Sequence, residues 1–158
     1  MNDFTDLVDL AAARLGGSVL LANDEFFAPK ENLLVERPPV FIEDKYTERG
    51  KWMDGWETRR RRTPGHDWCI IRLGVPGVIS GVVVDTSFFR GNYPESCSIE
   101  GCSLSGVPDA DALRQADWFE LLPEELLQGD TRNEFAVAPN GIVTHIRFNI
   151  YPDGGVAR

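Results

Sequence analysis

The sequence predicts a mainly β domain, an antiparallel sandwich or jelly roll led by a short N-terminal helix. Three observations predict it. Helical period appears clearly only at the start of the chain, the later apolar segments are short or alternating, and Gly, Pro, Asn or Asp separates most of them. A chain of 158 residues suits a single domain, and at that length about 70% of the unfolded surface can be buried. Apolar residues at 42% and charged residues at 26% give the balance of a globular protein rather than a disordered one.

The leading helix rests on Phe4, Leu7, Val8, Ala11, Ala12 and Leu15, whose spacing puts them on one helical face, with Gly16 and Gly17 ending it. Strand-like runs follow at Ser18–Ala22, Trp68–Leu73, Val78–Thr86, Cys97–Leu104, Trp118–Leu122, Glu134–Val137 and Val143–Tyr151. In the last, Thr144, Ile146, Phe148 and Ile150 alternate with His145, Arg147 and Asn149, which assigns one face to the core and a polar face to solvent or a site. Leu113–Ala116 and Glu124–Gln128 read as short helical turns. Pro152-Asp153-Gly154-Gly155 is hairpin-turn chemistry, because the glycines accept positive φ. Only three residues follow it, so the expectation is an unpaired edge on the Val143–Tyr151 strand and a chain that is one piece of something longer or half of an assembly.

A net charge of −9 argues against a nucleic-acid or anionic-membrane partner, since both are bound chiefly by neutralising positive charge. No apolar run reaches the roughly 18 residues that span a bilayer, and Asp3, Asp6 and Asp9 replace the basic start of a signal peptide. A cytoplasmic protein is expected. Cys69, Cys97 and Cys102 lack a C-x-x-C pair and read as reduced thiols. With His66 and His145 as the only histidines, a histidine-rich metal cage is excluded.

Chemistry concentrates between Lys51 and Asn92. KWMDGWETRRRRTPGHDW, Lys51 to Trp68, combines tryptophans, carboxylates, a four-arginine run and a histidine. In extended chain Arg59 and Arg61 point one way and Arg60 and Arg62 the other, so one pair can line a pocket, where a guanidinium fork suits a small carboxylate. The same run also fits a solvated charge block. Asp54, Glu57, His66 and Asp67 are candidate acid, base or binding groups; the alternative for His66-Asp67 is a capped, exposed loop. Asp85, Arg90 and Asn92 close an apolar strand, where polar side chains line binding mouths or cap loops. There is no G-x-S-x-G elbow, P-loop, dinucleotide fingerprint or H-E-x-x-H. The residues alone therefore point to a small-anion pocket in a β sandwich.

The phrases ANDEFFAPKENLL (Ala22–Leu34), GKWMDGWETRRRRTPGHDWCIIRLG (Gly50–Gly74), VDTSFFRGNYPESCSIEGC (Val84–Cys102), WFELLP (Trp118–Pro123) and THIRFNIYPDGGVAR (Thr144–Arg158) resemble the allantoicase family across nearly the whole chain. That resemblance implies a galactose-binding-like jelly roll, hydrolysis of allantoate to ureidoglycolate and urea, and homo-oligomers of chains built from two tandem repeats, with no cofactor. It implies that residues 1–158 are the first repeat, ending before its last strand and a second repeat. Arg59 or Arg61, with Asp54, Asp85, Arg90 and Asn92, would bind the diureido carboxylate, while Glu57, His66 and Asp67 would move protons. Relatives often carry a histidine near Arg132–Phe135; Asn133 stands in that region here and cannot carry a proton. A noncatalytic small-ligand or carbohydrate module, and a half serving only assembly, remain open as alternatives.

Overall fold

Short β segments need partners from distant parts of the chain, and the topology supplies them. The computed structural model describes residues 3–138 and 140–158. In chain order its strands are β1 (Ser18–Ala22), β2 (Tyr46–Thr47), β3 (Gly50–Lys51), β4 (Trp56–Glu57), β5 (Asp67–Gly77), β6 (Gly81–Asp85), β7 (Ser96–Cys102), β8 (Phe119–Leu126), β9 (Arg132–Ala136), β10 (Val143–Tyr151) and β11 (Gly155–Val156). One α-helix, α1 (Ala110–Arg114), lies between β7 and β8, overlapping the first expected helical turn. A five-stranded sheet in the order β1-β5-β10-β7-β8 forms one layer, with β6–β9, β4–β11 and the β2–β3 hairpin as separate two-stranded pieces. Pairing within the large sheet is antiparallel throughout.

The alternation of β10 sets the layering. Ile146 lies opposite Ile71, Phe148 opposite Cys69 and Ile99, and Ile150 opposite Cys97. These pack in one cluster with Trp56 of β4, Val84 of β6, Val137 after β9 and Val156 of β11. The core therefore sits between the large sheet and the smaller strand pairs, the arrangement of a sandwich.

Three local expectations change. In place of an N-terminal α-helix, Phe4–Asp6 and Ala13–Leu15 form separate 3-10 turns, and Leu7 and Val8 are exposed. Tertiary contact overrides the helical pattern. A Cβ on Gly81 would meet the Phe4 ring at 2.4 Å and one on Gly77 would meet Leu10 at 2.8 Å. Residues six apart lie on different sides of a helix and cannot both dock that way. Glu124–Leu126 continue β8 rather than forming a turn, with Cys97 opposite Glu125 and Ser96 donating to Glu124 at 2.6 Å. Finally, β10 has neighbours on both sides, and the Pro152–Gly155 turn carries the chain into β11, which pairs with β4 outside the large sheet. No described helix is long and apolar enough to cross a membrane.

Candidate active site

The site is anchored by Trp56. Its ring is fully buried, lies 6.1 Å from that of Phe148, and its indole N–H donates to the Asp24 carbonyl at 2.8 Å. Glu57 follows at the end of β4, gripped by backbone bonds with Ala28 and lying directly opposite Gly155. One residue on, the Thr58 N–H donates to the Gly154 carbonyl at 2.9 Å, and the Gly154 N–H donates to Thr58 Oγ1 at 3.1 Å. Gly154 has φ +135°, and a Cβ there would stand 2.8 Å from Pro94 N and 2.9 Å from Asn92 O. Its bare backbone lets the Asn92 loop close against β11, where the Gly155 N–H donates to the Asn92 carbonyl at 2.7 Å.

Asn92 then donates through Nδ2 to Glu57 Oε2 at 3.0 Å. The two share a cavity of about 460 Å³ with Arg60, Tyr93, Asp153 and the Thr58–Gly154 contact. Burial pushes the Glu57 carboxyl above its ordinary range, and the Asn92 hydrogen bond only partly opposes this. Arg60 is exposed, and its guanidinium has no hydrogen bond or ion pair among the described residues. The cavity thus presents an uncommitted cation beside a desolvated carboxyl.

Of the residues singled out from sequence, only Glu57 and Asn92 meet here. Within the arginine run the pair the sequence favoured is already engaged, while Arg60 lines the cavity. Arg59 Nε donates to Asp24 at 3.0 Å, and Arg61 Nη1 to Asp67 at 2.7 Å. Asp54, with 2% of its side chain exposed, is gripped by Arg158 and Arg37 and accepts the Val40 N–H. Asp85 is buried and accepts from the Ser87 N–H and hydroxyl at 2.8 and 2.6 Å, which makes it a loop cap. Arg90 pairs with Asp130 on the surface. Asn133 donates to the Val84, Gln128 and Thr131 carbonyls and accepts the Gln128 N–H, holding the β6–β9 end together.

His66 and Asp67 lie away from Glu57. Asp67 is buried under Arg61 and Asn23, and its Oδ2 has no partner among the described residues. His66 lines a second cavity, of about 470 Å³, on the polar face of β10 beside Trp68, Arg147 and Asn149. Asn149 Nδ2 donates to Glu100 at 2.9 Å, so its Oδ1 is an acceptor and His66 Nε2, 3.2 Å away, is the donor. Glu100 is held by both Nε and Nη2 of Arg147, at 2.8 and 2.9 Å. Burial raises the Glu100 carboxyl, but the Arg147 and Asn149 hydrogen bonds outweigh it and hold the group below its usual range. Here cation and carboxylate neutralise each other. His145 on the same strand is buried, and burial with the Arg72 charge pushes its pKa down. Sequence reasoning missed Arg60 and Asp153; the alternation of the arginine run was the signal for the first, and the Pro-Asp-Gly-Gly turn for the second. No group of three or more His, Cys, Asp or Glu side chains suited to a metal occurs among the described residues.

A five-stranded antiparallel sheet packed over smaller strand pairs defines a jelly-roll β-sandwich protein. The chain superimposes on a CBM32 module of a family 31 glycoside hydrolase from Clostridium perfringens with TM-score 0.61 at 11% identity, over 95% of this chain and 96% of that one, a likeness of fold alone. The family described as Allantoicase repeat matches residues 8–158. The chain is 50% identical to "Probable allantoicase 1" of Burkholderia mallei, covering 96% of this chain and 44% of that protein. It is 36% identical to the allantoicase structure from Saccharomyces cerevisiae, with TM-score 0.79, covering 96% of this chain and 46% of that one. It belongs to the allantoicase family. The chain spans about half the length of the relatives it matches.

Proposed function

We propose that this chain is one repeat of an enzyme that hydrolyses allantoate to ureidoglycolate and urea, and that the Glu57 cavity binds the substrate. The observation that carries this reading is the Arg60 guanidinium, without a partner among the described residues, on the same cavity as the desolvated Glu57 carboxyl. Allantoate is a carbon bearing one carboxylate and two ureido arms. Arg60 supplies a fork for the carboxylate, and Asn92 and Glu57 face the amide chemistry of a ureido arm. Releasing urea requires a proton on the departing nitrogen, and a carboxyl whose pKa burial raises is better suited to donate it than an exposed one. Family membership supports the choice of substrate. We further propose a cytoplasmic homo-oligomer as the working form. The three unpaired thiols suit a reducing compartment, and the half-exposed run Val40, Phe41 and Ile42 offers apolar surface for a subunit contact.

The test is an assay of urea and ureidoglycolate after mixing the purified chain with allantoate. Glu57→Gln should lower kcat by at least about a hundredfold, while Arg60→Met should act mainly by raising KM. Because the protonated Glu57 is the active form, the rate should decline as pH rises through its raised pKa, and the Gln variant should lose that limb. Saturable binding without urea release from the folded chain, or near-normal turnover in both variants, refutes the reading.

A further inference from the structure

Urea release needs a base as well as an acid, and the Glu57 cavity holds a second carboxylate. We infer that Asp153 is the catalytic base of this site, an inference that rests on the allantoate reading. Asp153 sits in the turn two residues before Gly155, the residue directly opposite Glu57 in the β4–β11 pair, and both carboxylates line the same cavity. Its Oδ2 accepts the Arg61 N–H at 2.8 Å, which fixes the side chain. Its Oδ1 has no partner among the described residues. The following residue, Gly154, is buttoned to Thr58 in both directions, so the turn that carries Asp153 is tied to the strand that carries Glu57.

The two carboxyl groups differ in environment. Glu57 is desolvated, with one amide donor, whereas Asp153 is bound by a backbone N–H. In the first step, Asp153 carboxylate takes the N–H proton of the ureido arm that remains. That nitrogen forms a double bond to the central carbon, the bond from carbon to the other ureido nitrogen breaks, and Glu57 protonates that nitrogen as urea leaves. In the second step, water adds to the carbon of the C=N bond. Glu57, now a carboxylate, takes the proton of the water, and Asp153 returns its proton to nitrogen. The sum is allantoate plus water to urea plus ureidoglycolate, with both side chains restored. Arg60 holds the substrate carboxylate throughout.

A purely structural Asp153 would serve only to accept the Arg61 N–H. Asparagine keeps an oxygen for that bond but cannot take a proton, so Asp153→Asn separates the roles. The full chain carrying Asp153→Asn should melt near the parent temperature and bind allantoate within about threefold, while kcat falls by about a hundredfold or more. Asp153→Ala should be at least as slow, and added formate, a diffusible base, should restore its rate by about tenfold. Near-normal kcat in Asp153→Asn overturns the inference and leaves the allantoate reading intact. If the Asn variant fails to fold or bind, the Ala variant decides, and no formate rescue overturns the base role. A parent chain that releases no urea removes the allantoate reading and this inference together.

Discussion

Replacing Asp54 should unfold the protein sooner without touching the chemistry of the Glu57 cavity. Asp54 has 2% of its side chain exposed and accepts Nη1 and Nη2 of Arg158 at 3.1 and 3.0 Å, with Arg37 and the Val40 N–H as further donors. Burial raises its carboxyl, yet the Arg158 and Arg37 bonds outweigh that and hold it below the ordinary value. Asp54→Asn keeps the shape but strands the Arg158 guanidinium, whose side chain is 13% exposed, whereas Arg37 at 51% can turn to solvent. Removing one partner of a buried pair costs about 3–5 kcal/mol, and one strandable cation places this case near about 3. For a chain of this size each kcal/mol moves Tm by about 2–4 °C, so a fall of about 6–12 °C is expected by calorimetry. Pairing the change with Arg158→Met, which removes the stranded charge, should recover part of the loss as a coupling of about 1 kcal/mol or more. The sign with pH follows from the depressed folded pKa. The stabilisation is present above the unfolded carboxyl pKa and is lost as pH falls through the folded one, so parent and variant should converge in acid. A variant that melts within about 1 °C of the parent, or one that keeps its Tm but loses allantoate affinity, refutes the anchoring argument and returns Asp54 to the binding site.

Gly154→Ala should cost about 2 kcal/mol or more, from positive φ together with backbone contacts at 2.8 and 2.9 Å, and should lower turnover by shifting Asn92 away from Glu57. Gly106→Ala, with φ +70° and nothing within 4 Å, should cost only about 1 kcal/mol; equal denaturant midpoints for the two would discount the close approach. The thiols should resist modification in the folded state. Burial pushes Cys102 up to about 11 and Cys97 up to about 12, the latter helped by Glu125 and Glu124, and burial raises Cys69 as well. Labelling near pH 8 should therefore track global unfolding, and rapid reaction of any cysteine in native protein would contradict this.

The parts of the fold legible in the sequence are those governed by local period. Strand β10 could be read over most of its length because alternation follows directly from the pleat: Ile146, Phe148 and Ile150 join the core as the pattern requires, whereas a register shift between Val143 and His145 brings Val143 into the core in place of Thr144. The N-terminal pattern does not become a helix because a 3.6-residue period carries no information about glycines more than 60 residues away, and Phe4 and Leu10 dock on Gly81 and Gly77. The polar face of β10 likewise holds a buried Asn149 and a half-buried Arg147 in a cavity, rather than the solvated surface that alternation alone suggests. The unpaired strand edge expected at the C-terminal turn depended on sheet order, which no local pattern encodes. It disappears because β5 and β7 flank β10.

The candidate site shows the same limit in electrostatic form. Residue type suggested which groups could act, but a charged group acts on a ligand only if no protein partner has taken it. Asp24, 35 residues before Arg59, and Arg158, 104 residues after Asp54, made that selection. Asp24 and Asp67 engage Arg59 and Arg61, and Arg60 is left on the cavity. By the same criterion the two cavities separate. Near His66, Arg147 and Glu100 neutralise each other in a bidentate pair, so an incoming carboxylate would have to displace a charge-assisted contact. Near Glu57 the guanidinium of Arg60 lacks such a contact among the described residues, and the carboxyl is balanced only by an amide. A substrate that brings both a carboxylate and ureido groups completes the pairing at the Glu57 cavity without breaking one, which is the physical reason to look for turnover there.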